Sequence, residues 1–170
     1  MRSTLPDHGK PAVHDTVVTA LRETRIAHFT CHGLADLHNP TASRLLLEDH
    51  EQKPLTVARI AGTVLPHAEL AYLSACSTTD TTADYTDEAV TLATAFQLAG
   101  YRAVVGAPWP VNDHAASTIA QDFCTYLTAN GSTEPDTAAA AAALHHALRK
   151  HRARRLHLPT QWTAYVHTGA

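Results

Sequence analysis

The sequence predicts an α/β domain, a mostly parallel β-sheet with helices on both faces. Short apolar, β-prone runs alternate with helical runs along the chain, the pattern of strands joined by helical crossovers. Capping and stop residues flank several helical runs. A chain of 170 residues that is 45% hydrophobic can bury one core and needs only one domain.

The elements follow in order. In "PAVHDTVVTALRE", Val13, Val17 and Leu21 recur at helical spacing. "RIAHFTC" is the first strand, closed by Gly33, and a loop with Asn39-Pro40 follows. "SRLLLED" is an edge strand or hairpin arm. "LTVARIAGT" is a short helix with Thr56 as N-cap and Gly62 as terminator. "AELAYLSAC" is the second strand, and the polar loop "STTDTTADYTDE" leaves it. "DEAVTLATAFQLAG" is a helix capped by Thr86, with Asp87 and Glu88 in its first turn and Gly100 past its end. "RAVVGAPW" is the third strand. A helix capped by Asp113 runs to Asn130-Gly131, and an Ala-rich helix capped by Asp136 follows. "TQWTAYVHTG" is the fourth strand.

Composition excludes several classes. The net charge is −3 with neutral histidine, so no basic field drives nucleic-acid binding. The one basic cluster, "LRKHRARR", ends a helical run, where cations complement the dipole. No run approaches the ~18 apolar residues of a membrane span, and the N-terminus has no signal-peptide pattern. Three widely spaced cysteines, Cys31, Cys76 and Cys124, with no CxxC pair suit a reduced, cytoplasmic protein. Thirteen histidines raise the question of metal. His28 and His32 stand about 13 Å apart if both lie on a strand, too far for one ion. His146 and His151 do not stack on one helical face. Neither a metal nor a cofactor is expected.

The first three main strands are expected to end at His32, Cys76 and the Pro108-Trp109 pair. Open α/β sheets bind their ligands at the carboxyl ends of the strands, so these residues share one edge. Cys31 is adjacent to His32, but side chains alternate along a strand and the two diverge. Cys31 is expected in the core, and Cys124, beside Phe123 and Leu127, in the core or half-exposed. Cys76 ends a strand and meets a polar loop. Its thiol, with an ordinary pKa near ~8.5, needs a base. His32, 44 residues upstream on the neighbouring strand end, is that base. The amides of Gly33 and Cys76 are candidate oxyanion donors. A satisfied histidine beside a buried thiol is the structural alternative.

"HFTCHG", "AYLSACSTT", "DEAVTLATAFQLAGYRAVVGAPWPVND" and "WTAYVHTG" together resemble the CHAT domain, in its actinobacterial form. This is a caspase-like domain often joined to TPR repeats. The resemblance runs over 11–169, after a flexible stretch at 1–10. It implies a caspase-like three-layer α/β/α sandwich, N-terminally incomplete here, because the family has further elements before the first helix. It implies a cysteine endopeptidase with His32 as base, Cys76 as nucleophile, Gly33 and Cys76 as the oxyanion hole, and a thioester acyl-enzyme. Trp109 and Asp113 match positions that line the substrate groove, with helix capping the alternative for Asp113. The loop after Cys76 departs from the family, with Thr79 and Asp80 where Gly is usual. Asp80, Asp84, Asp87 and Glu88 form an acidic rim that would favour a basic side chain before the scissile bond, or are simply solvated. The expected partner is a protein or peptide substrate. The alternative is a non-catalytic interaction module that needs a partner protein or the missing N-terminal or TPR segment.

Overall fold

A computed structural model describes residues 11–34, 36, 38–74 and 85–169, with side chains from residue 92 onward in the last span. The chain runs through α1 (His14–Glu23), β1 (Ile26–Phe29), β2 (Gly33–Leu34), β3 (Arg44–Leu45), β4 (Leu55–Thr56), α2 (Val57–Ala61) and β5 (Leu70–Leu73). It continues through α3 (Tyr85–Ala99), β6 (Ala103–Gly106), α4 (Asp113–Leu127), α5 (Ala140–Arg154), α6 (Pro159–Trp162) and β7 (Val166–Gly169). The main sheet has the order β1-β5-β6-β7. The β1–β5 and β5–β6 pairs are parallel, and β7 is antiparallel to β6. The mostly parallel α/β fold is the one the sequence predicts.

Alternation along the strands builds three layers. Phe29, Ala71, Leu73 and Val104 face one cluster, shared with Leu21 of α1, Ile60 of α2 and Phe96 of α3. Leu70, Tyr72, Ala103 and Val105 face the other, shared with Ile119 and Phe123 of α4 and Leu144 of α5. Ala143 and Ala147 are fully buried, so the small side chains of α5 let it lie close against α4. Phe96 is fully buried, with ring centroids 5.1 Å from Phe29 and 5.6 Å from Tyr101.

The predicted local signals divide. Thr56 accepts from the Arg59 amide and caps α2, and Gly62 ends it. The Asp136 side chain accepts from the Ala138 amide and caps the turn leading into α5. Gly100 follows α3 at φ +126, and a Cβ there would lie 2.6 Å from the Leu65 carbonyl oxygen, so only glycine fits. Helix α3 begins at Tyr85, which puts Thr86 inside it and not at its cap. The α4 cap is Asn112, whose side chain accepts from the His114 amide, while Asp113 is the first helical residue. Gly33 does not close β1 but opens β2, paired with Leu45 in a separate antiparallel sheet of order β2-β3-β4. "TQWTAYVHTG" splits, because Pro159 starts α6 and the strand begins only at Val166. No helix among the described residues is long and apolar enough to cross a membrane.

At the amino end of the sheet, Arg25 donates from Nε and Nη2 to the two Glu69 oxygens at 2.8 Å, and Thr137 donates to Glu69 Oε2 at 2.7 Å. The Arg25 guanidinium and the Thr137 hydroxyl hold the Glu69 carboxyl down to about 2. Its folded pKa lies below the unfolded one, so the stability it lends is present above ordinary carboxylate pH and lost as pH falls toward 2. Glu69→Gln is therefore expected to lower the melting temperature at pH 7 and to leave it close to wild type at pH 2. Equal losses at both pH values would show that the carboxylate charge is not the source.

Candidate functional site

The sequence places its candidates at the ends of strands, and the register decides how those ends lie. Phe29 pairs with Leu73, and Leu73 with Gly106. The three parallel strands thus stop in one cross-strand row, at Phe29, Leu73 and Gly106, short of the predicted ends. Beyond that row, His32, Cys76 and Trp109 each lie three residues further along the chain. The offset between β1 and β5 is 44 residues at every pair from Ile26–Leu70 to Phe29–Leu73, which is also the separation of His32 from Cys76. The ladder extends one step past β5, where the Ser74 amide donates to the Phe29 carbonyl at 2.8 Å.

The first candidate, His32, is exposed. Its carbonyl accepts from the Leu46 amide at 2.8 Å, which ties the crossing from β1 into β2 to the small sheet. Gly33 is buried beside it. Cys31 lies past the end of β1, so strand alternation does not place it, and it is half-buried. It packs against the α1–α2–α3 cluster, and burial pushes its thiol up to about 11. At neutral pH such a thiol is ionised to less than about one part in a thousand, too little for a nucleophile. Cys124 is exposed on α4, not in the core. Cys76 and Asp80 lie outside the described residues.

Trp109 is half-buried against the α4–α5 cluster, and its Nε1 donates to the Thr160 carbonyl at 2.8 Å. The indole thus fastens the start of α6 to the segment leaving β6. Asp113 is exposed in the first turn of α4, where its charge complements the helix dipole. Among the described residues, His32 and Gly33 follow β1 and Trp109 follows β6, with β5 between those two strands, and Asp113 stands on the helix after Trp109.

One pair escaped the sequence reading. His28 points to the face opposite Phe29, edge-on to Tyr72 with ring centroids 5.0 Å apart. Its Nε2 shares a 2.9 Å hydrogen bond with Ser74 Oγ, and desolvation lowers its pKa. The neutral ring thereby secures the end of β5 two residues before Cys76. The signal was available, because His28 and Ser74 are diagonal neighbours once the 44-residue register is known, but the register is a tertiary fact. Among the described residues no three His, Cys, Asp or Glu side chains are grouped to hold a metal ion.

The cysteine environments give a direct expectation. With iodoacetamide at neutral pH, Cys31 should remain almost unmodified and should react only as pH approaches 11. Labelling of Cys31 at the rate of free cysteine would contradict its place in the core.

A search of curated proteins returns no match. The family model of the CHAT domain matches residues 3–170, nearly the whole chain. With the mostly parallel sheet and its flanking helices, this match establishes that the chain belongs to the CHAT-domain family, a group related to the caspase-like cysteine peptidases.

Proposed function

We propose that the chain is a cysteine endopeptidase in which His32 and Cys76 form the catalytic dyad. The observation that supports it is the flush end of the parallel strands, with β1 and β5 paired at the 44-residue offset that also separates His32 from Cys76. Parallel neighbours that stop in one row hand their following residues to the same crevice. The Cys31 environment supports it too, since the thiol adjacent to His32 in sequence is committed to the core.

In this reading His32 accepts the Cys76 thiol proton and the thiolate attacks the scissile carbonyl. The amide N–H groups of Gly33 and Cys76 hold the oxyanion of the tetrahedral intermediate. Collapse breaks the C–N bond, His32 gives its proton to the leaving amine, and a thioester joins the acyl half to Cys76. Water, deprotonated by His32, then hydrolyses the thioester and restores the thiol. Trp109 offers an apolar wall to the substrate, and Asp80 and Asp113 contribute negative charge along the groove. The substrate is a protein or peptide, and a basic residue before the cleaved bond suits that charge.

The test is incubation of the purified chain with a diverse peptide library, read by mass spectrometry, beside the Cys76→Ala variant. Cleavage by the wild type that is missing in the variant is the expected result. Cleavage retained by Cys76→Ala, or a wild type inert toward every peptide, would overturn the reading.

A further inference from the structure

A cavity of about 570 Å3 opens between the start of α4, the end of α5 and α6. Its lining includes His114 and Thr118 from α4, His151 and Arg154 from α5, Arg155 at the α5 cap, and Gln161 from α6. No carboxylate lines it. His151 is only 5% exposed and its Nε2 donates to Gln161 Oε1 at 3.2 Å, so a fixed pair joins α5 to α6 at the cavity. Arg154 and Arg155 are exposed.

The charge arrangement is what needs an explanation. The cationic end of α5 answers that helix's own negative terminus. Here it also faces the positive N-terminal turn of the fifteen-residue α4, so charges of one sign converge on one cavity. Asp122 relieves part of it. Asp122 is held at 2.5 Å by Lys150, and its second oxygen lies 3.9 Å from Arg154. Arg155 makes no ion pair among the described residues. Asp113 is exposed on the first turn of α4 and is not part of the lining. Two guanidinium groups beside a helix N-terminus are chemistry that recognises a phosphate, with the His114 imidazole in the lining and the His114 amide already taken by the Asn112 side chain. The volume falls in the range of about 300–1,000 Å3 typical of small-molecule sites, more room than one phosphate group needs.

We propose that this cavity binds a small organic phosphate. The phosphate lies between Arg154, Arg155 and the first turn of α4, and the organic part rests against Leu158 and Gln161. Isothermal titration calorimetry of the full chain with AMP, adenosine and inorganic phosphate tests it. Two variants accompany the wild type. Arg154→Gln/Arg155→Gln removes both guanidinium groups, and His114→Glu adds a carboxylate at an exposed position where it also favours the helix. Saturable AMP binding, no adenosine binding, and an affinity at least roughly tenfold weaker in both variants are expected. Unchanged melting temperatures show that the variants fold. Three results would overturn the proposal: no AMP binding, AMP binding of equal strength in folded variants, or inorganic phosphate bound as tightly as AMP.

Discussion

His32→Ala is expected to lower kcat/KM for peptide cleavage by about 10²- to 10⁴-fold, the usual worth of a positioned general base. Cys76→Ala should abolish cleavage. The asymmetry follows from the chemistry. Without His32 a small thiolate fraction still attacks, because cysteine is intrinsically nucleophilic, but no group returns the proton to the leaving amine. Because His32 is exposed, its removal should leave the melting temperature within about 1 °C of wild type, as for other surface changes. Cys31→Ala is the matched control. It removes the thiol that is adjacent to His32 in sequence but packed against the α1–α2–α3 cluster, and activity per folded molecule should be unchanged. If Cys31→Ala abolished cleavage and Cys76→Ala did not, the assignment of the nucleophile would be reversed.

Phe96→Ala is expected to cost about 3–5 kcal/mol of folding stability, the range for a large aromatic truncated in a packed core. Phe96 has no exposed surface and touches rings on two sides, Phe29 from β1 and Tyr101 from the turn before β6. Its neighbours are held by strand register and have little freedom to collapse into the space left. The effect also bears on function. Phe29 is the last residue of β1, and its carbonyl receives the Ser74 amide, so the cavity would lie directly beneath the row that aligns the strand ends. Urea denaturation of Phe96→Ala beside Phe96→Leu measures it, with the leucine variant losing less. A loss below about 1 kcal/mol for alanine would mean that α3 repacks onto the sheet.

The layer order of the fold was legible because helix and strand periodicities differ and because glycines and caps punctuate the chain. Gly100, Thr56 and Asp136 act as local chemistry says they should. The misreadings have physical causes. Strands β2, β3 and β4 are two residues each, too short for any periodicity, so Gly33 looked like an end when it is a beginning. Asn112 and Asp113 are both good caps, and only backbone geometry chooses between them. The apolar run through Cys31 continued past the hydrogen-bonded ladder, which stretched the predicted strand beyond Phe29. His32 and Gly33 stand out as candidates in the sequence because they end an apolar run. The His28–Ser74 bond was not legible, since it depends on a register between segments 46 residues apart. The anchoring of Trp109 to Thr160 was hidden for the same reason, because it joins segments 51 residues apart.

The most direct test of the dyad is the pH dependence of iodoacetamide alkylation at Cys76, followed by peptide mass spectrometry in the wild type and in His32→Ala. An imidazole paired with the thiol stabilises the thiolate. The wild-type rate should therefore rise through an apparent pKa below the ~8.5 of an ordinary thiol, and His32→Ala should return it toward that value. A Cys76 profile centred at or above ~8.5 in both proteins, with no effect of His32→Ala, would contradict the pairing.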